Sequence, residues 1–152
     1  MTSTFNPHLA KAQRALFKQG FKLHPHQVAG VKWLIEQEKT IHGGILADDM
    51  GLGKTIQMIS LILALPKKIT MIAVPANLIS QWSKAIKLLC PEMPLIIHWC
   101  NSRINRSSIR RIEESKSSII LTSYGLIDNE EIQTIEVDRL ICDEAHTFRN
   151  HR

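Results

Sequence analysis

Gly51-Leu52-Gly53-Lys54-Thr55 puts two glycines, an amine and a hydroxyl into five consecutive residues, and Asp143-Glu144 puts two carboxylates side by side near the other end of a 152-residue chain. The first group suits a bound polyphosphate. Gly51 and Gly53 let the backbone turn its N–H groups toward phosphate oxygens, and a helix that follows adds its positive N-terminal end. Lys54 would neutralise the β and γ phosphates, and the Thr55 hydroxyl would ligate Mg²⁺. The second group suits a metal and a water. Asp143 would hold the Mg²⁺, commonly through water, while Glu144 would orient and deprotonate the water that attacks the γ-phosphate. Read together, the two groups are the halves of an ATP site, with Lys54, Asp143 and Glu144 as its catalytic residues. The strict G-x-x-x-x-G-K-S/T pattern is not met, because Asp48 stands at its first glycine position. Each group alone has a plainer explanation: a glycine-rich turn beside an exposed lysine, and a solvated acidic strand end. Their presence in one chain, in this order, favours the chemical reading.

Those residues need elements to hold them. Gly43-Gly44-Ile45-Leu46-Ala47 is a short glycine-led apolar run that predicts a buried strand before the loop, and Ile56 to Leu65 predicts a buried helix after it. Ile135 to Cys142 predicts a strand that delivers Asp143 to its C-terminal end, where α/β sheets bind ligands. Between the two groups, Ile69 to Val74 reads as a strand, and Pro75 opens a helix with Leu78, Trp82, Ala85 and Leu89 at helical spacing. Trp82 could be a platform for stacking a base, but in such a stripe it reads as core. Leu95 to His98 and Ile119 to Thr122 are further strands. Ahead of the loop, an amphipathic stretch from Leu9 to Phe17 precedes Gly20, and Pro25 sits in the first turn of a helix with Val28, Val31 and Ile35 on one face. Alternation of this kind predicts an α/β fold, a mostly parallel sheet with helices on both faces. Residues 1–22 read as an extension, and residues 23–152 as one lobe.

Composition bounds the partners. At 44% hydrophobic and 22% charged the chain suits one soluble α/β domain, and a net charge of +5 mildly favours a polyanion. Arg103, Arg106, Arg110, Arg111 and Lys116 could form a phosphate-contacting face, although a solvated helix balanced by Glu113 and Glu114 is the simpler reading. Cys90, Cys100 and Cys142 are odd in number and widely spaced, which predicts free thiols, with Cys142 a small core residue. His42 and His98 have no partner at ligand spacing and read as structural. The first residues lack the order of a signal peptide, and no apolar run is long enough for a membrane span, so an intracellular protein with no membrane partner is expected.

Asp48-Asp49-Met50-Gly51-Leu52-Gly53-Lys54-Thr55 and Asp143-Glu144-Ala145-His146 resemble motifs I and II of the superfamily-two helicase-like ATPases, in the spelling of the Swi/Snf family of DNA translocases. Residues 23–34, Leu23-His24-Pro25-His26-Gln27 onward, resemble that family's first helix, whose glutamine reads adenine. Val74-Pro75-Ala76-Asn77-Leu78-Ile79-Ser80-Gln81-Trp82 is similar to motif Ia, and Leu121-Thr122-Ser123-Tyr124-Gly125 to motif Ib. The spelling of residues 43–50 and 143–150 is most like the branch containing helicase-like transcription factor and the yeast Rad repair translocases. The resemblance implies a RecA-like P-loop lobe, cut after motif II, that binds ATP and Mg²⁺ and acts on double-stranded DNA, bare or in nucleosomes, in the nucleus of a eukaryote. It implies that Asp48, Asp49, Met50, Gly51, Leu52, Gly53, Lys54 and Thr55 contact ATP together with Gln27, with His24 near the adenine. It further implies that Thr55 and Asp143 hold Mg²⁺, that His146 couples ATP to DNA, and that Pro75, Asn77, Thr122, Ser123 and Tyr124 line the DNA track. In that family the motif III strand and a second RecA-like lobe with its arginine finger follow. Residues 1–152 alone should therefore turn ATP over weakly and be poorly stable. A strand-separating DEAH-type RNA or DNA helicase and a non-catalytic truncated binding module are the alternatives.

Overall fold

The computed structural model describes residues 5–49, 51–100 and 102–150, the last three by backbone alone, so the candidate Met50 lies outside the described residues. The chain divides into two compact units, residues 1–66 and 67–152.

The first unit is helical. Helix α1 (Pro7–Lys18) starts where the Asn6 side chain accepts from the His8 and Leu9 N–H groups, and Pro7 needs no such partner. It stops at Gly20, whose φ of +81° lets the Gly20 and Phe21 N–H groups turn back onto the Phe17 and Leu16 carbonyls. Leu9, Ala12 and Leu16 form its buried stripe, while Phe17 faces solvent. Helix α2 (Pro25–Thr40) buries Gln27, Val31, Leu34 and Ile35, with Val28 only half-buried. Helix α3 (Lys54–Ala64) is buried over most of its length, as its apolar run predicts, and both α1 and α2 pack on it.

The expected strand at Gly43 to Ala47 does not form. These residues run as irregular chain outside any strand ladder among the described residues, and Ile45 is 85% exposed. A strand without a hydrogen-bonded neighbour gains nothing for the backbone it orders. Gly44 is instead packed under Trp33, whose Cη2 would lie 3.0 Å from a Cβ placed there.

The second unit is a four-stranded parallel sheet flanked by helices, in the order β2-β3-β1-β4, from β1 (Ile69–Val74), β2 (Leu95–His98), β3 (Ser118–Ser123) and β4 (Arg139–Cys142). Helix α4 (Ile79–Leu89) links β1 to β2, α5 (Arg106–Glu114) links β2 to β3, and the short α6 (Glu130–Gln133) precedes β4. The step from β1 to β2 runs one way along the sheet and the next two run the other way. Right-handed crossovers therefore place α4 on one face and α5 and α6 on the other. Met71, Ile96 and Ile120 share one row of the sheet, and they form a cluster with Ile112 of α5 and Ile132 of α6.

Three sequence expectations shift here. The motif II strand begins at Arg139 rather than Ile135, because its partner β1 begins only at Ile69, which the Asp138 backbone and carboxylate already hold. The helix after Pro75 starts with a tight turn at Ala76–Leu78, and its buried face is Ile79, Trp82, Ser83, Ile86 and Leu89, with Leu78 and Ala85 half-buried. Cys142 is exposed rather than core. On β4, Arg139 and Ile141 face inward and Leu140 and Cys142 outward, the period-two alternation of a strand. His98 is the structural histidine expected: buried, with its ring nitrogens at Thr122 Oγ1 and Glu131 Oε2. His42 is an exposed turn residue at φ +58°. Cys90 is buried at the end of α4, and burial pushes its thiol up to about 12.

Candidate functional site

In the first unit the glycine loop ends on the N-terminus of α3. Gly51 and Gly53 have φ of +84° and +76°, and Gly53 caps the helix that Lys54 begins. Gly53 is also hemmed in, since an added Cβ would lie 2.4 Å from Gln27 Nε2. Gln27 clamps this turn: its Oε1 accepts from the His24 N–H at 2.9 Å and its Nε2 donates to the Leu52 carbonyl at 3.2 Å. His26 Nε2 lies 3.2 Å from the same carbonyl, and the exposed His24 ring is stacked on that of His26. Gln27, expected at the adenine, thus has one amide N–H and one oxygen lone pair still to give. Lys54 Nζ donates to the Asp48 carbonyl at 2.8 Å, and the Leu52 N–H reaches the carbonyl of the exposed Asp49 at 3.4 Å. Thr55 is half-buried in the first turn of α3.

Two residues that the motif reading passed over complete this half. Gln57 Nε2 donates to the Asp48 carboxylate at 2.9 Å, which ties the residue at the non-glycine position to α3. Gln57 is fully buried and its Oε1 has no hydrogen-bond partner among the described residues; a Cβ on Gly30 of α2 would lie 1.9 Å from that oxygen. A lone glutamine inside the apolar run Ile56 to Leu65 was the sequence signal available.

In the second unit Asp143 leaves β4 with its N–H on the Ala73 carbonyl of β1, at 3.1 Å. Its carboxylate accepts from Trp82 Nε1 at 2.9 Å and from the Glu144 N–H at 3.0 Å, on different oxygens, and its carbonyl accepts from the Tyr124 hydroxyl at 2.7 Å. Burial first, then the Cys142 thiol and the Asp143 and Glu144 charges, push the Tyr124 phenol well above the usual tyrosine range, so it stays a donor. Glu144 has φ of +52°, and its carbonyl takes the N–H and hydroxyl of Thr147, each at 2.9 Å. The exposed His146 places Nδ1 3.3 Å from Glu144 Oε2.

The residues expected on a DNA track divide. Asn77 is exposed and Pro75 half-buried, both just beyond β1. The side chains of Thr122, Ser123 and Tyr124 are buried: Thr122 bonds to His98 and Tyr124 to Asp143. Among the arginines, Arg110 pairs with Glu114 and Arg103 with Glu131, the pattern of a solvated face.

A glycine loop capping a helix and an acidic pair at the C-terminal edge of a parallel sheet define a RecA-like P-loop lobe. The profile described as "SNF2-related domain" matches residues 26–152, and this chain belongs to that family. Among its relatives, the SWI/SNF-related matrix-associated actin-dependent regulator of chromatin subfamily A containing DEAD/H box 1 homolog of Caenorhabditis elegans is 34% identical over 151 residues, 91% of this chain. YwqA of Bacillus subtilis, whose name marks it as a candidate ATP-dependent helicase/translocase, is 32% identical over 135 residues, 84% of this chain. The Sulfolobus solfataricus SWI2/SNF2 ATPase core in complex with dsDNA matches 86% of the chain at 26% identity and a TM-score of 0.66. This chain spans only 15%, 14% and 27% of those three proteins, respectively. Among the described residues no helix is long and apolar enough to cross a membrane.

Proposed function

We propose that this chain is the ATP-binding part of a motor that moves along double-stranded DNA, with ATP hydrolysis coupled to movement. The observation that carries the reading is the acidic pair: in a member of the SNF2-related family, Asp143 is held by Trp82, Tyr124, Ala73 and the Glu144 N–H, beside a glutamate whose backbone is left-handed. Such fixed geometry is what metal and water chemistry requires.

The donors fit Mg²⁺. Among the described residues each Asp143 oxygen accepts one hydrogen bond and keeps a lone pair, and in this reading Thr55 would add a hydroxyl, hard oxygens of the kind Mg²⁺ prefers. Among the described residues no group of three or more His, Cys, Asp or Glu could hold a metal alone. A site completed by substrate phosphates and water needs no such group. Mg²⁺, when bound, neutralises charge that builds on the phosphates during transfer. Lys54 adds a cation for the β and γ phosphates, with Asp48, Asp49, Met50, Gly51, Leu52 and Gly53 as the loop whose N–H groups receive them. Glu144 takes the proton of the attacking water. Gln27 reads the adenine with the N–H and lone pair it has left, with His24 nearby, and His146 carries the state of Glu144 toward the DNA.

In this reading a second RecA-like lobe closes on ATP and opens after hydrolysis, and the segments at Pro75 and Asn77 and at Thr122 to Tyr124 change their grip on one strand. Because the last three side chains are buried, that grip falls to the adjoining backbone and Gly125. Chromatin-related relatives favour a nuclear setting in a eukaryote, with nucleosomes as one form of the duplex, and the spelling of residues 43–50 and 143–150 favours the repair-type branch.

The test is ATP hydrolysis by the full-length natural protein with no polymer, duplex DNA, single-stranded DNA or RNA, beside a Lys54→Ala control. Strong stimulation by duplex that the control lacks is expected. Stimulation by RNA or single strands alone, with strand separation, would replace this reading with the helicase one. No hydrolysis by the intact protein would leave a binding module.

A further inference from the structure

We propose that Trp82 is a positioning residue for the Mg²⁺ side of the reaction, acting through the Asp143 carboxylate; the inference rests on the ATPase reading above. The starting point is an ordinary core tryptophan: the ring is 1% exposed and belongs to the buried stripe of α4. An indole N–H is donor only, and in a site without water it must find an acceptor. Its acceptor is Asp143 Oδ2 at 2.9 Å, and the nearer backbone N–H, that of Glu144, takes Oδ1 at 3.0 Å.

Among the described residues, the other two polar contacts of Asp143, with the Ala73 carbonyl and the Tyr124 hydroxyl, are made by its backbone. They fix where the residue is, not how its carboxylate is turned. Rotation about the bond to a carboxylate carbon is a soft, roughly two-fold torsion. Two donors on opposite oxygens remove that freedom, and the remaining lone pairs are then held in fixed directions. Trp82 is the side chain among those donors. Outer partners of a metal-binding carboxylate act in this way, by turning it rather than by touching the metal.

The experiment replaces Trp82 in the full-length natural protein with 3-benzothienylalanine, which keeps the ring shape and exchanges the N–H for sulfur, alongside Trp82→Phe and Asp143→Asn. Three quantities are read: the Mg²⁺ concentration that half-saturates binding of a fluorescent ATP analogue, the KM for ATP of the Trp82 variants at saturating Mg²⁺, and the melting temperature. For the isostere we expect half-saturating Mg²⁺ to rise about tenfold, the lower end of what such outer partners confer. Its melting temperature and KM for ATP should stay close to wild type, and combining it with Asp143→Asn should add no further shift in Mg²⁺ dependence. A merely structural tryptophan gives the opposite pattern: Trp82→Phe lowers the melting temperature, while the isostere leaves Mg²⁺ dependence unchanged although Asp143→Asn raises it. That result overturns the proposal and leaves the ATPase reading intact. If Asp143→Asn itself leaves Mg²⁺ dependence unchanged, the metal role of Asp143 fails and the role of Trp82 with it.

Discussion

Glu144 is where chemistry and backbone pull in different directions. Its φ of +52° lies in the left-handed region, which a residue with a Cβ enters at a cost of about 1 kcal/mol or more. The turn is kept because Thr147 doubly caps the Glu144 carbonyl and Asp143 takes its N–H. Two substitutions separate the roles. Glu144→Gln keeps shape and backbone, so nucleotide binding should persist while turnover falls to background; normal turnover would remove Glu144 as the base. Glu144→Gly should also lose turnover, yet raise stability by up to about 1 kcal/mol in thermal unfolding, because glycine enters this conformation freely. A loss of stability would show that the side chain contributes more to the fold than its conformation costs.

At the scale of elements, the loop depends on how closely α2 and α3 approach. Gly30 gives Gln57 the room to reach the Asp48 carboxylate, and a Cβ there would lie 1.9 Å from Gln57 Oε1. The intruding atom is the end of a flexible side chain, so Gly30→Ala should swing Gln57 away rather than separate the helices. We expect a stability loss of about 1–3 kcal/mol, the usual cost of overpacking, with weaker nucleotide binding as Asp48 loses its tie. In Gly30→Ala/Gln57→Ala the methyl has space, so the stability losses should be less than additive in thermal unfolding. Full additivity would mean that the contact is not what sets the loop.

At the scale of the whole molecule, charge is the property a polyanion would feel. The net +5 is modest, and two of the arginines around α5 are paired with glutamates in exposed contacts that salt screens readily. If Arg106, Arg110 and Arg111 each neutralised a phosphate, replacing all three with alanine would take about 2.7 off the slope of log K against log salt for duplex binding. We expect a change below about 1 in the full-length protein, as a solvated face predicts. A drop near the larger figure would make α5 part of the DNA track.

Much of the architecture was legible in the residues because it rests on local rules. The span of β1, the buried helix after the glycine loop and the structural role of His98 follow from periodicity, glycine chemistry and the absence of ligand spacing. Other features depend on what lies opposite, which no local pattern encodes. Gly43 to Ala47 has a strand's composition and no strand, because a ladder needs a second backbone. Cys142 faces out because of its place in the alternation of β4, and the inward turn of Thr122, Ser123 and Tyr124 follows from partners on other elements. The Trp82 indole on Asp143 and the Gln57 amide on Asp48 join residues 61 and 9 positions apart. The sequence by itself determined which groups are present and which short segments hold them, since those depend on neighbours along the chain. Only the tertiary structure decided how the Asp143 and Asp48 carboxylates meet Trp82 and Gln57, because those donors come from elements that folding alone brings together.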